Sequence, residues 1–363
     1  MFCTPAGLGL VNPAFAASTP YINNVQYVEI TIGASQTSNT ATITSVDTSK
    51  TWLVYNGHTD SNGTEDMTQN VVAISLTNAT TVTALRQAQD GTNAITVRIS
   101  VVEGNSNLIQ SVQSGTITFA KTATTGTATI TSVTTGNAFV VHQGSTDNAT
   151  LLPAPDNPAF SSFTLELTAA TTVTATRNSA TNATATVYYV VVEFKSGVLA
   201  SNQKRVITLT SSNTSDTDTI TSVNTNRTML VWAGFRGTST TWADMLYRVE
   251  LTNATTLTLT RSTTNASSRT IAVTVLEFAS GVLNGNPQRS TNVMNNVTST
   301  DATITSVNTA KTVVSQIGFT AAGATHEIYE SSTKLLNSTT VRSQKNTAGS
   351  ATSTTSWEAI QFN

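Results

Sequence analysis

Three histidines, His58, His142 and His326, are the chain's only imidazoles, and Cys3 is its only thiol. An imidazole near neutral pH can serve as general base, general acid or metal ligand. His142 sits in AFVVHQG, and matching segments place Tyr55 (TWLVYNG), Trp232 (TMLVWAG) and Gln316 (TVVSQIG) at the same slot. A slot that takes four unlike side chains reads as a packing or surface position, not as a catalytic one. A single cysteine allows neither an internal disulfide nor a thiolate cluster, and Cys3 reads as inert. No GxSxG, HExxH, phosphate-loop or GxGxxG pattern stands in a suitable context.

Carboxylates recur as well. Glu103, Glu193 and Glu277 each close a strand, with Gln361 at the fourth position. Acid–base hydrolysis needs two carboxylates on one site, and here there is one per copy, a module apart. Arg86, Arg177, Arg261 and Lys345 end the strand before. If those two strands pair as a hairpin, Arg86 lies about 26 Å from Glu103 at strand rise, which rules out a salt bridge. The glutamates are therefore expected to face the next module or to take backbone donors from the linker. Asp60, Asn62, Glu65 and Asp66 offer hard oxygen ligands, but their spacing departs from the EF-hand calcium loop. No catalytic residue, cofactor or metal is assigned, and the chain is not expected to be an enzyme.

The elements that carry these residues repeat. ATITSVDTSKTWLVYNG (from Ala41) returns as ATITSVTTGNAFVVHQG (Ala128), DTITSVNTNRTMLVWAG (Asp218) and ATITSVNTAKTVVSQIG (Ala302). The anchors Ile43, Ile130, Ile220 and Ile304 lie 84 to 90 residues apart. Each is followed by a version of LTNATTVTALR (Leu76, Leu167, Leu251, Leu335) and by a closing run such as ITVRISVVEG or ATVYYVVVEF. Such a period marks a repeat architecture. The modules are bounded at 21–106, 107–197, 198–281 and 282–363, after an N-terminal arm, 1–20.

Within a module the period is two. Ile95, Val97, Ile99 and Val101 alternate with Thr96, Arg98 and Ser100, the pattern of a half-buried strand. TATITSV and TWLVYNG are separated by a turn-rich gap and read as a hairpin. About six strands per module predict an all-β chain of four tandem antiparallel β-sandwiches, Ig-like in architecture. The junctions repeat too: Phe194 to Arg205 matches Phe278 to Arg289. Leu108 and Ile109, Val198 and Leu199, and Val282 and Leu283, with Glu103, Glu193 and Glu277, are expected to make inter-module contacts. The result would be a semi-rigid rod on the order of 120–150 Å long, although the same pattern also allows modules folded back on one another.

Charged residues make up 10% of the chain and the net charge is −2, so no basic field exists to draw nucleic acid or anionic lipid. No run reaches the ~18 apolar residues of a membrane span. Residues 1–20 hold a possible Ala14-Phe15-Ala16 cleavage site, but no Lys or Arg precedes Lys50, so a leader lacks its basic region. The segment reads as an ordered arm on a neighbouring subunit. The most variable segments follow Gly57, Gly144, Gly234 and Gly318, and recognition commonly lives in variable loops on a repeated scaffold. In the third, Phe235, Trp242 and Tyr247 are candidate recognition aromatics.

Modules that run Gln-x-x-x-Ile-Thr-Ile, TATITSV, LTNATTVTATR and VVEF resemble Thr-rich β repeats in structural proteins of tailed-bacteriophage virions. The likeness covers the chain from about residue 21 and is clearest in the first three modules. It implies a non-enzymatic virion component, of fibre, tail-appendage or head-decoration type, without catalytic residues to carry over. The expected setting is the virion surface, as a homo-oligomer beside other virion proteins, with the variable loops contacting either neighbouring subunits or host surface glycan. The alternative is a cell-surface filament or adhesin subunit assembled by strand addition. A glycan depolymerase would need a carboxylate pair that the sequence does not offer.

Overall fold

The computed structural model describes residues 20–61, 67–147, 159–179, 184–210, 212–239, 243–262, 264, 267–321, 330–349 and 351–363. Most of the N-terminal arm, with Cys3, His326 and the Asn62, Glu65 and Asp66 ligand set, lies outside them. Among the described residues each repeat contributes six strands. Repeat 1 has β1 (Ile22–Ile32), β2 (Ser38–Thr42), β3 (Thr51–Asp60), β4 (Ala73–Asn78), β5 (Thr81–Leu85) and β6 (Ile95–Gly104). Repeat 2 has β7 (Ile109–Phe119), β8 (Thr125–Thr129), β9 (Ala138–Asp147), β10 (Thr164–Ala169), β11 (Thr172–Thr176) and β12 (Ala185–Phe194). Repeat 3 has β13 (Leu199–Leu209), β14 (Ser215–Thr219), β15 (Thr228–Gly237), β16 (Tyr247–Asn253), β17 (Thr256–Thr260) and β18 (Arg269–Phe278). Repeat 4 has β19 (Gln288–Met294), β20 (Ser299–Thr303), β21 (Thr312–Ala321), β22 (Ser331–Asn337), β23 (Thr340–Lys345) and β24 (Ser353–Gln361).

The six strands of a repeat divide between two sheets. In repeat 1, β6 pairs with β1 and β3, while β5 pairs with β2 and β4. Ile30, Ile43, Val46, Val82 and Val97 fill the space between the two halves. Each half then joins half of a neighbouring repeat. β4 meets β9 at Ala73 opposite Gly144, and β10 meets β15 at Thr164 opposite Gly234. β16 meets β21 at Arg248 opposite Gly318, and β22 meets β3 at Ser332 opposite Gly57. Four six-stranded antiparallel sheets result, each shared by two repeats, and the last seam closes repeat 4 on repeat 1. The chain is a four-bladed β-propeller.

This corrects the expectation of four separate tandem Ig-like sandwiches in a rod. Alternation reports which side chains point inward, but not which strand supplies the hydrogen-bond partner. The predicted hairpin is also wrong, since β2 and β3 lie in different sheets. The chain between them crosses the core as an arch: Ile43 and Val46 are buried, and their N–H groups donate to Thr80 O and Ala79 O, both at 2.9 Å. β5 and β6 likewise belong to different halves, so the hairpin used to place Arg86 against Glu103 does not exist.

The repeated glycine sits where two repeats touch. Gly57, Gly144, Gly234 and Gly318 have φ between 80° and 100°, a region that L side chains adopt only with strain. A Cβ on Gly144 would lie 2.0 Å from Val72 O, and one on Gly57 2.3 Å from Ser331 O. Only glycine lets the neighbouring strand approach at these seams.

A shared core runs along the axis. Trp52, Phe139, Met229 and Val313 occupy equivalent places at the starts of β3, β9, β15 and β21, packed with Phe194, Phe278 and Phe362. Phe194 and Phe278 lie 6.0 Å apart, and Phe278 meets Phe362 edge-on at 5.3 Å. Repeat 1 has Gly104 in place of that phenylalanine, and Ile109 fills the gap, 2.6 Å from where a Cβ would stand. The junction residues Leu108, Ile109, Val198 and Val282 are buried in this core, with Leu199 and Leu283 packed against it.

Closure copies the internal junctions. Leu108 N donates to Asn105 O, Val198 N to Lys195 O and Val282 N to Ala279 O, and Tyr21 N makes the same bond to Asn363 O at 2.7 Å. The closing seam is also charged. Glu29 sits between Arg98, at 3.3 Å, and Lys334, while Arg98 Nη1 donates to Ser332 Oγ at 2.9 Å.

The recurring polar residues hold loops. Glu103 Oε1 accepts from Asp47 N at 2.8 Å and Glu193 Oε1 from Thr134 N at 2.8 Å, and Gln361 Oε1 takes the equivalent Asn308 N at 3.0 Å. Glu277 is paired instead with Arg227 at 3.0 Å. The expected linker partner is thus replaced by the arch of the same repeat, and Gln serves there because an amide oxygen accepts as a carboxylate does. Arg86 binds the carbonyls of Gly33, Ala34 and Gln36, and Arg177 and Arg261 repeat the arrangement. Gln26 donates to Thr44 O and accepts from Thr44 N, as Gln113, Gln203 and Gln288 do in their own repeats.

Candidate functional site

β3, β9, β15 and β21 start at the junction end, where Thr51 lies opposite Glu103, and run along the axis to the other end of the ring. Each is bulged around its seam glycine, with register shifts at Tyr55/His58, Trp232/Phe235 and Gln316/Phe319. The bulge turns the slot residues Tyr55, His142, Trp232 and Gln316 toward one axial cavity of about 120 Å³. The segments that follow the variable loops complete its wall with Val71 and Val72, Ser161 to Phe163, Met245 to Tyr247, and Glu330. The described flanks of all four divergent loops therefore line one cavity.

The wall is mainly aromatic. Tyr55 stacks on Trp232 at 6.3 Å and 27°, and His142 lies 4.7 Å from the same indole. Trp232 Nε1–H donates to Tyr247 Oη, which fixes the indole plane, and Phe235 packs on Tyr247 at 5.2 Å. Burial raises the pKa of the Tyr247 phenol despite that bond.

The polar groups fall into two sets. Tyr55 Oη is 2.5 Å from His58 Nδ1, and His58 Nε2 lies 3.4 Å from Glu330 Oε2. Burial, and then the Glu330 charge, push the Tyr55 pKa well above 10. A phenol that keeps its proton donates to Nδ1, which leaves Nε2–H toward the carboxylate. Such a phenol is a weak nucleophile, and the trio forms one chain of polar contacts in the wall. In the second set, His142 Nδ1 accepts from Gly144 N at 2.9 Å. Burial lowers the His142 pKa to about 3, so the ring is neutral and carries its proton on Nε2. Ser162 is 3% exposed, and its Oγ has no hydrogen-bond partner among the described residues.

The structure brings Phe235 and Tyr247 together in this wall, while Trp242 lies outside the described residues. The junction residues, from Glu103 to Leu283, gather at the opposite end. The slot read from sequence as a packing or surface position lines the cavity, because four equivalent positions converge when the repeats close around an axis. Glu330 and Ser162 were missed altogether. Both follow loops that share no pattern among the repeats, so only the convergence of the loop flanks on one cavity could have marked them. Among the described residues, no group of three or more His, Cys, Asp or Glu side chains is placed to hold a metal ion. No described helix is long and apolar enough to cross a membrane.

Comparison with protein-family models and with curated proteins finds no match for the chain.

Proposed function

We propose that this chain is a non-enzymatic structural protein of a phage virion, displayed on the particle surface as a homo-oligomer, with its divergent end turned outward. Residues 1–20 attach it to the particle or to a sister subunit, and the rim of the axial cavity contacts host surface glycan. The observation that carries this reading is the contrast between the ends of the ring. The junction end is written nearly alike in each repeat, whereas every variable loop opens at the cavity end, where recognition is expected on a repeated scaffold. The virion setting rests on the resemblance of the Thr-rich repeats. In the test, gold-labelled antibody to the chain is applied to particles, and purified chain competes for adsorption to host cells. Labelled particles and slowed adsorption are expected. Unlabelled particles, or label confined to cell-surface filaments, would overturn the reading.

A further inference from the structure

We infer that the axial cavity is a binding site for a single pyranose ring, a reading that rests on the proposed contact with host glycan. Size sets the first limit. At roughly 10–15 Å³ per enclosed water, the cavity of about 120 Å³ has room for roughly eight to twelve water-sized groups, the scale of one hexose.

Chemistry sets the second. Trp232, braced by Tyr247, offers a fixed flat apolar surface, and a pyranose presents an apolar C–H face that packs on such a ring. His142 is 5% exposed and lines the cavity, and its Nε2–H has no partner among the described residues. A ligand in the cavity can meet that donor with an oxygen acceptor, and a hydrogen bond formed there away from bulk water favours a ligand that carries one. A methylated ammonium ion would suit the aromatic wall but has no acceptor to give His142. A sugar ring brings both the apolar face and the hydroxyls.

The test titrates the full-length chain, by calorimetry and ligand-observed NMR, with glucose, galactose, mannose, N-acetylglucosamine and rhamnose at millimolar concentration. Choline and adenosine serve as contrasting probes. At least one sugar is expected to bind at one site per chain. His142→Phe keeps an aromatic ring at a slot that carries Tyr55 and Trp232 in other repeats but removes the Nε2–H, and is expected to weaken binding about five- to ten-fold. Trp232→Phe should weaken it further. Binding of no sugar, tighter binding of choline or adenosine, or affinity indifferent to both substitutions would overturn the inference. The adsorption assay separates the two readings. Slowed adsorption without sugar binding defeats this inference alone, whereas sugar binding by a chain absent from particles defeats the virion reading alone.

Discussion

The two ends of the ring use the same four repeats in opposite ways. At the junction end the same short turn recurs, a phenylalanine fills the core in three repeats, and Glu103, Glu193 and Gln361 hold the same arch. At the cavity end, equivalent positions carry Tyr55, His142, Trp232 and Gln316, and the loops beyond them share no pattern. A closed ring must satisfy the same seam geometry four times, which keeps the packing end uniform. The cavity on the axis receives one side chain from each repeat, and because those four differ its walls differ in chemistry.

The seam glycines give the sharpest way to break that comparison. Gly144→Ala places a Cβ 2.0 Å from a backbone carbonyl oxygen and should cost about 4 kcal/mol or more in urea unfolding. Gly197, at a junction, also has positive φ, but a Cβ there would meet nothing within 4 Å. Gly197→Ala should cost only about 1–2 kcal/mol, the strain of the left-handed conformation alone. Equal losses at the two sites would contradict the seam.

Acid should act first at the cavity end. His142 titrates at about 3 in the folded chain against ~6.5 unfolded. Between those values the unfolded chain binds the extra proton, so stability is full above pH 6.5 and falls as pH drops. The slope is about 1.4 kcal/mol per pH unit, or roughly 3 kcal/mol by pH 4. His142→Gln, the residue that repeat 4 carries at this slot, should lose that part of the slope in unfolding curves measured from pH 7 to 4. An unchanged slope would mean that the buried imidazole is not the group responsible.

The smallest effect belongs to the junction end. Joining Asn363 to Tyr21 through two residues, the spacing of the internal junctions, and opening the chain between Ser106 and Asn107 should yield a folded permutant. Its stability should lie within about 1 kcal/mol of residues 21–363, because the Tyr21 to Asn363 hydrogen bond already has the internal geometry. A permutant that fails to fold would show that closure is not equivalent to the other junctions.

Much of this was legible in the sequence and some was not, for physical reasons. The period of two marked the strands, and the repeats of Ile43, Leu76 and Glu103 marked the modules. Strand partners stayed hidden because alternation does not say which strand lies alongside. The one mark of the arch was Ile43 and Val46, three residues apart and thus on opposite faces of a regular strand, yet both buried. The signal of closure was present in Phe362-Asn363, which matches Phe194-Lys195 and Phe278-Ala279, and in Tyr21-Ile22, which matches Leu108-Ile109. Tyr55, His142, Trp232 and Gln316 were discounted because variation argues against function in copies laid end to end. Closed around an axis, the same variation gives one cavity four unlike walls.

The central claim is that repeat 4 pairs with repeat 1. It is tested most directly by spin labels on Glu29→Cys and Lys334→Cys in a Cys3→Ser background, diluted with unlabelled chain and measured by pulsed electron resonance. The native side chains form an ion pair across the closing seam, so the two backbones lie within the combined reach of a lysine and a glutamate, and a label distance of about 10–25 Å is expected. A distance beyond about 60 Å, as in an open row of four units, would contradict the ring.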